Sequence, residues 1–542
     1  MIRLHKTHYY IPALIALLFC SSVTYAQISF PSLSEDARLF SPLQTAGTAR
    51  VQGFGGAGFS LGGDIGAGLL NPAGYGFYNR SSLVLTPSFR GIRTNTDFEG
   101  TSAEEFGSDF NLTSFGLVIA NTRDDPSPSR FRGGAFAVTF NQINSFSYTN
   151  SYQGSASEVS IIDDIVLQAN GISVGEFDNR LSFDPLNIPD YATAAYNNFL
   201  INPVVDPNAE PNTYVGSLPT GTLTLPSGDS ETSGRLNQWN FSYGANFDDK
   251  LYLGASVGLM SFSQERQNEY REEYRYSQDY IDFIDEGNFF YPAEGGPVSV
   301  DFVDFVQLNE TQEINGTGIN ANLGIIYRPI QALTVGLSFL TPTIYSVEER
   351  SFFDLDTQIT GLQQNDSAQF EEQFNRLSQG NEGVFSYNLR TPSRVGLGAS
   401  YFFQKYGFLT ADVEYVNYPG YRFSTSENNA SNITSFANQD VERDYQSAIN
   451  YRVGGEFRYD IFRVRLGYAF YADPTNFEED TLDRNRQSFS GGVGVITKSF
   501  FADLAVVNNR FNTDARPYGG TNFFYNQENV SNTIMLSLGF NF

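Results

Sequence analysis

The last eleven residues, Asn532–Phe542, alternate without a break. Ile534, Leu536, Leu538, Phe540 and Phe542 fall on one face; Thr533, Met535, Ser537, Gly539 and Asn541 fall on the other. Strand side chains have a period of two, so one face is apolar and the other small or polar. A strand of about ten residues that ends the chain on an aromatic is the pattern of a membrane β-barrel, with lipid outside and a polar lumen inside. The same alternation predicts strands near 81–90, 113–121, 133–143, 236–248, 250–262, 317–329 and 332–342, then near 393–403, 407–418, 450–460, 462–472, 487–496 and 499–509. Leu251, Leu253, Ala255, Val257 and Leu259, set against Gly254, Ser256 and Gly258, form one clear example.

The connections turn these segments into a topology. Short ones lie at Asp124-Asp125-Pro126, Asp248-Asp249-Lys250, Pro329-Ile330-Gln331, Gln404-Lys405-Tyr406, Tyr459-Asp460-Ile461 and Thr497-Lys498. Every connection between these hairpins is longer. Strict alternation of short and long matches a barrel with tight periplasmic turns and extended outer loops. The expected fold is therefore all-β: a transmembrane antiparallel β-barrel of about fourteen strands over residues 81–542, with both barrel ends on the short-turn side. A fifteenth segment, Val384–Leu389, would break the even count; it belongs to the loop before Thr391-Pro392 or extends the strand that follows.

Ahead of the barrel, residues 1–26 read as a signal peptide. Arg3 and Lys6 supply a basic start, Ile11–Cys20 an apolar run, and Thr24-Tyr25-Ala26 a small-residue cleavage site. Its removal takes away both histidines (His5 and His8) and the single cysteine, Cys20. Without imidazole or thiol, Ser-His-Asp and Cys-His catalysis, histidine-ligated metal or haem, and disulfides are excluded. The expectation is a non-enzyme with no cofactor and no metal.

Charge excludes another class. With Arg3 and Lys6 gone, 31 of the 33 basic residues remain against 60 acidic ones, a formal charge of −29. Nucleic acid is not an expected partner. Residues 144–235 alone hold eleven carboxylates and only two arginines, Arg180 and Arg235, so the outer loops present an acidic, solvated surface.

Residues 27–80 do not alternate. Thr48–Asp64 (TARVQGFGGAGFSLGGD) leads through Ile65–Leu70 to Asn71-Pro72-Ala73-Gly74. A phosphate-binding glycine loop fails here, because no buried strand precedes it and no lysine–serine pair follows at the required offset. Glycines such as Gly55 and Gly56 instead allow close backbone packing in a confined space. An N-terminal hatch inside the lumen, over residues 27–80, meets that need.

These residues carry a family resemblance. The run Thr48–Gly58 followed by Asn71-Pro72-Ala73-Gly74 is similar to the hatch of the FadL/TodX family of outer-membrane transporters of hydrophobic compounds. Further similar segments are Leu333–Pro342, Thr391–Tyr401, Ala411–Tyr415, Arg463–Tyr468 and Asp483–Val493; the loops between 144 and 320 match nothing in it. The resemblance implies a Gram-negative outer-membrane location and passive uptake of long-chain fatty acids or other hydrophobic small molecules. In that family ligand is captured among the outer loops, moves to a pocket beside the hatch, and leaves sideways through a gap in the barrel wall. Gly55, Gly56, Asn71, Pro72 and Ala73 become the candidate hatch and pathway residues.

Two more sets follow from the residues themselves. Phe289, Phe290, Tyr291, Phe302 and Phe305 are candidates for an outer capture groove; packing within the loops is the simpler account of them. If Val464, Leu466, Tyr468 and Phe470 face lipid, then Arg463 and Arg465 face inward, and so do Arg452, Glu456 and Arg458 across the hairpin. Bracing between hatch and wall is the expected role of these charges, with pairing to a ligand carboxylate as the alternative. Lipid and a hydrophobic ligand are the expected partners. The alternative function is a docking subunit of an outer-membrane secretion (type IX-like) or surface-assembly complex, which would bind other surface proteins through the acidic loops.

Overall fold

In the computed structural model the described residues are 33–41, 46–122, 130–180, 191–204, 210–285, 298–365, 368–379, 383–427, 430–476, 482–519, 521 and 524–542. Fourteen antiparallel strands close into a ring: β1 (Ser82–Phe98), β2 (Thr101–Thr122), β3 (Phe131–Ser145), β4 (Leu223–Phe247), β5 (Leu251–Arg275), β6 (Val298–Ile330), β7 (Leu333–Leu340), β8 (Arg394–Phe402), β9 (Gly407–Asn417), β10 (Ser447–Tyr459), β11 (Phe462–Tyr471), β12 (Arg486–Ile496), β13 (Phe500–Ala515) and β14 (Tyr525–Asn541). Each pairs with the next, and β14 pairs with β1 from Asn541 opposite Ser82 upward, which abolishes the sheet edge. Five of the six predicted short connections are tight turns, and the sixth, Asp124-Asp125-Pro126, lies outside the described residues. Asp248 and Asp249 are the central residues of a turn closed by Lys250 N donating to the Phe247 carbonyl at 3.1 Å, and both take left-handed backbone angles (φ 56° and 55°).

Why the ring has a membrane belt is visible along β5. Leu253, Val257 and Leu259 point outward and are exposed; beyond Leu259 the outward positions become Ser261, Ser263, Glu265, Gln267 and Glu269. The inward positions change the opposite way on β6, from Asn322 and Asn320 within the belt to Leu308, Val306 and Val303 above it. Much of the sequence expected as loop is therefore ladder. Residues 93–105, 263–275 and 298–316 continue β1–β2, β5 and β6 past the belt, and the 82–122 hairpin turns only at Glu99-Gly100. Their outward faces meet water, so the apolar period on which the strand boundaries rest is absent there.

Three barrel strands are interrupted by proline. β7 is resumed beyond Pro342 as Ile344–Asn365, which pairs with the upper part of β6. β8 is preceded across Pro392 by Gly383–Arg390, and β9 is followed across Pro419 by Arg422–Ser424. A proline cannot donate to the ladder, so each strand steps sideways there. Val384–Leu389 is thus an extension of the following strand.

Above the belt, the described residues between 154 and 222 build a helical cap on the inward apolar face. Ile161, Ile162 and Ile165 of the helix Ile161–Ala169 join Tyr191 and Ala195 of the helix Tyr191–Asn197 in one core with Tyr270, Val306, Leu308 and Leu355 of the wall. Glu272, thirteen residues past Leu259, anchors the first helix: it accepts from the Ser160 hydroxyl at 2.6 Å, the Ile161 amide at 2.8 Å and the hydroxyls of Tyr270 and Tyr274 at 2.7 and 2.8 Å. Burial raises its carboxyl above the ordinary range, although these donors pull the other way. On β6, Glu310 accepts from the Tyr191 hydroxyl and, at 3.1 Å, from the Gly519 amide.

Residues 46–78 lie against inward wall residues around the ring. Ala49 N donates to Ser537 on β14, Phe59 N to Asp412 on β9, and Ser60 shares a hydrogen bond with Ser400 on β8. Asn71 is fully buried: its amide donates to the carbonyls of Phe59 (2.7 Å), Leu337 (3.2 Å) and Ile325 (3.3 Å), while its Oδ1 caps Ala73 N. The wall makes room with glycine; a Cβ on Gly324 would sit on Asn71 Oδ1. The leading residues 33–41 sit at the opposite end from the tight turns. Phe40 stacks on Phe262 at 4.1 Å, and Gln312 donates to both Asp36 (3.2 Å) and Glu349 (2.7 Å).

Two expectations follow. Asn71→Ala strips three carbonyls of a donor in a site closed to water and should cost about 1–3 kcal/mol, read as a lower urea midpoint for the barrel in micelles. Burial pushes the Asp36 carboxyl up to about 6 and that of Glu349 up to about 7. Both therefore hold protons more tightly in place than in water. Attachment of residues 33–41 is full below the ordinary values of 3.8 and 4.5 and weakens as pH rises through 6 to 7. Tryptic cleavage at Arg38, divided at each pH by the rate on an unfolded peptide of the same sequence, should be faster at pH 8 than at pH 5, and Asp36→Asn should flatten that ratio.

Candidate functional site

Beneath the cap lies a cavity of about 270 Å³ between the leading segment (Glu35, Asp36, Leu39) and the inner faces of β1, β5 and β13. Its wall mixes cations with rings. The Arg486 guanidinium lies 3.7 Å from the centre of the Phe511 ring, and that of Arg516 lies 4.7 Å from the Phe524 ring while pairing with Glu35 at 2.8 Å. Glu310 and Tyr518, which touch the cap, also line this space, so the cap's floor is the cavity's roof. Mixed apolar and cationic walls suit a small organic molecule with an apolar body and a polar end.

A second space of about 90 Å³ continues toward the turn end, sharing Arg90, Ile143 and Ser145 with the first. It reaches Ser88, Asn111, Thr113 and Gln142, with Ala46 and Gln52 on the side of the N-terminal segment. Here the wall is interrupted. β2 and β3 pair from Thr122–Gly133 only as far as Ser114–Asn141, although both strands run on. Among the described residues, no backbone hydrogen bond joins β2 above Ser114 to β3 or to its continuation Tyr148–Gln153.

The cause is local. Pro87 on β1 offers no N–H, and the β1–β2 register slips beside it, leaving Thr113 as an extra residue on β2. Against β4, β3 slips as well, with Ile143 as the extra residue. Both strands are bulged at the level where their ladder stops. The bulge also reverses the faces of β2: Ile119 points outward below it, whereas Leu112, Phe110 and Phe106 do so above, at 42, 75 and 70% exposure. The seam is thus bordered outside by apolar side chains and inside by the two cavities.

The inward charges form two clusters. Arg465, fully buried, reaches Glu456 at 2.7 Å and Asp503 at 2.6 Å; Glu456 also meets Arg458 at 2.7 Å and Arg50 of the N-terminal segment at 3.9 Å. Arg452 lies 3.7 Å from Glu414 and 4.0 Å from Asp412, the carboxylate that accepts Phe59 N. Both clusters tie the segment 46–78 to the wall rather than facing the cavity. Arg463 stands apart, binding the carbonyls of Asp460 and Phe462 at the turn. Asp503 and Arg50 escape a reading of the sequence, although Asp503 occupies an inward step of an otherwise apolar alternation.

The hatch candidates fall together. Gly55 (φ 77°) and Gly56 (φ 74°) make the left-handed turn that brings Gly55 against Tyr468 and Val453; a Cβ there would lie 2.9 Å from Tyr468 N. Pro72 and Ala73 lie against Gly254. Of the capture-groove candidates, Phe289, Phe290 and Tyr291 lie outside the described residues. Phe302 packs on Tyr276 and Phe305 under Arg271, and neither lines the cavity, whose rings are Phe146, Tyr148, Phe511, Tyr518, Phe524 and Tyr525.

No protein-family model matches the chain, and no curated protein sequence matches it. Solved structures do. A FadL homologue from Pseudomonas aeruginosa aligns at 12% identity over 92% of this chain and 99% of its own, with a TM-score of 0.51. The toluene transporter TodX of Pseudomonas putida (12%, 92 and 99%, TM-score 0.48) and the toluene transporter TbuX of Ralstonia pickettii (14%, 92 and 99%, TM-score 0.44) are also similar. With its closed ring of fourteen strands and its outward apolar belt, the chain is an outer-membrane-type β-barrel with the FadL fold.

Proposed function

We propose that this protein is a passive conduit for hydrophobic small molecules, long-chain fatty acids among them, in the outer membrane of a Gram-negative bacterium. Solute enters the cavity beneath the cap, passes to the smaller space beside Thr113 and Gln142, and leaves sideways between β2 and β3. The observation that carries this reading is the β2–β3 ladder, which stops at Ser114–Asn141 where the inner space meets an apolar outer flank. Segment 46–78 acts as the hatch, because it fills the lumen toward the tight turns and leaves the wall as the way out. The neighbours' names, a FadL homologue and toluene transporters, agree with apolar cargo. The route needs no energy source: it delivers an apolar solute directly into hydrocarbon, where transfer from water is downhill.

The seam can be stapled. An ideal Cβ on Gly107 lies 4.0 Å from the Tyr148 Cα, within disulfide reach, and Cys20 in the leader is the sequence's only native cysteine. In vesicles carrying Gly107→Cys/Tyr148→Cys protein, uptake of a fluorescent long-chain fatty acid should fall to the protein-free rate on oxidation and return on reduction. Equal uptake in both states would remove the lateral route.

A further inference from the structure

The seam is shut by side chains, and one of them does most of the joining. Arg90 stands on β1, a full strand away from the gap, yet its guanidinium spans β2 and reaches the far side. Its Nε and Nη2 meet Asp109 Oδ1 and Oδ2 on β2 at 3.0 and 3.2 Å. Nη1 donates to the Ser145 carbonyl at 3.0 Å, and Nη2 to the Ser147 carbonyl at 2.9 Å. Ser145 Oγ completes the ring by donating to Asp109 Oδ2 at 2.5 Å.

We propose that Arg90 and Asp109 are the clasp of the lateral gate: positioning residues that hold segment 145–147 against β2 and must release it before solute passes. The inference rests on the lateral route proposed above. Three features carry it. First, every nitrogen of the guanidinium is engaged with Asp109 or with residues 145–147, so in this state the group faces the seam and is not a hook for a ligand in the cavity it lines. Second, among the described residues the other side-chain ties across the gap are single: Gln142 to Asn111 and Ser151 to Glu105, both at 2.8 Å, and Ser155 to the Glu99 carbonyl at 2.9 Å. Arg90 sends two charged donations across, to the Ser145 and Ser147 carbonyls, held in place by its two-point pairing with Asp109 on the near side, and together they outweigh each of those ties. Third, release needs only side-chain rotation and a shift of a short bulged segment, whereas opening any neighbouring pair of strands would break a continuous ladder. The Arg90 and Asp109 side chains are only 16 and 13% exposed, so salt screens the pair little.

The test uses the full barrel in vesicles and a fluorescent long-chain fatty acid. Asp109→Asn keeps the shape of the carboxylate and removes its charge; Arg90→Gln removes the fork. Each should speed uptake roughly tenfold, the equivalent of one charged hydrogen bond. Arg90→Lys, which keeps the charge without the fork, should fall between Arg90→Gln and the parent. Oxidised Gly107→Cys/Tyr148→Cys protein carrying Asp109→Asn should return to the protein-free rate, which separates a freed gate from a leaking or misfolded barrel. Retained heat-modifiable mobility on gels reports the fold. Unchanged uptake in Asp109→Asn and Arg90→Gln, with the disulfide still blocking, would overturn the clasp and leave the lateral route standing. A disulfide that blocks nothing would overturn both.

Discussion

Everything in this molecule follows from one backbone ribbon having to satisfy two solvents in succession. Within the belt, lipid offers no hydrogen bonds, so the strands must pair with one another round the ring, save where side chains take over at the β2–β3 seam, and their outward side chains must be apolar. Past Leu259 on β5 the outer solvent is water, and the polarity of the two faces changes places. The same strands that carry Asn320 and Asn322 inward at the lower level carry Val306 and Leu308 inward higher up. That exchange gives the helical cap an apolar surface on which to fold, and it keeps the lower lumen polar enough to hold the N-terminal segment by hydrogen bonds.

The lumen is packed in the manner of a protein core, though much of what packs is backbone. Inward glycines such as Gly254 and Gly324 let Pro72 and Asn71 approach the wall directly. Buried ion pairs such as Arg465 with Glu456 and Asp503 fix orientation, because their geometry is satisfied in only one arrangement. Against this close fit the β2–β3 seam stands out. It is the place where covalent chain geometry, through Pro87 and two bulges, replaces a ladder with side chains.

Much of the barrel is legible in the sequence because lipid imposes a strict period, as in Asn532–Phe542. The short turns are legible because residues such as Asp248-Asp249 accept left-handed angles. The outer ladders are not, since with water on one side residues such as Ser261–Glu269 have no apolar beat. The inward arginines 452 and 465 could be read from alternation, but their partner Asp503 and the isolation of Arg463 depend on distances that no spacing encodes. The seam had left a trace. The apolar positions of β2 run 106, 110, 112 and then 115, 117, 119, a change of phase at Thr113 that sits opposite a proline. A reading based on whole strands averages over such a slip.

The height of the projecting wall has its own effect. From Leu259 to Arg275, β5 climbs at roughly 3.3 Å per residue and a tilt near 40°, which lifts its rim by about 40 Å. Such a mast clears the headgroups and much of any carbohydrate brush rooted in them. On the route proposed above, cargo is met in open water above that thicket, and the distance that greasy molecules diffuse across least well is travelled indoors.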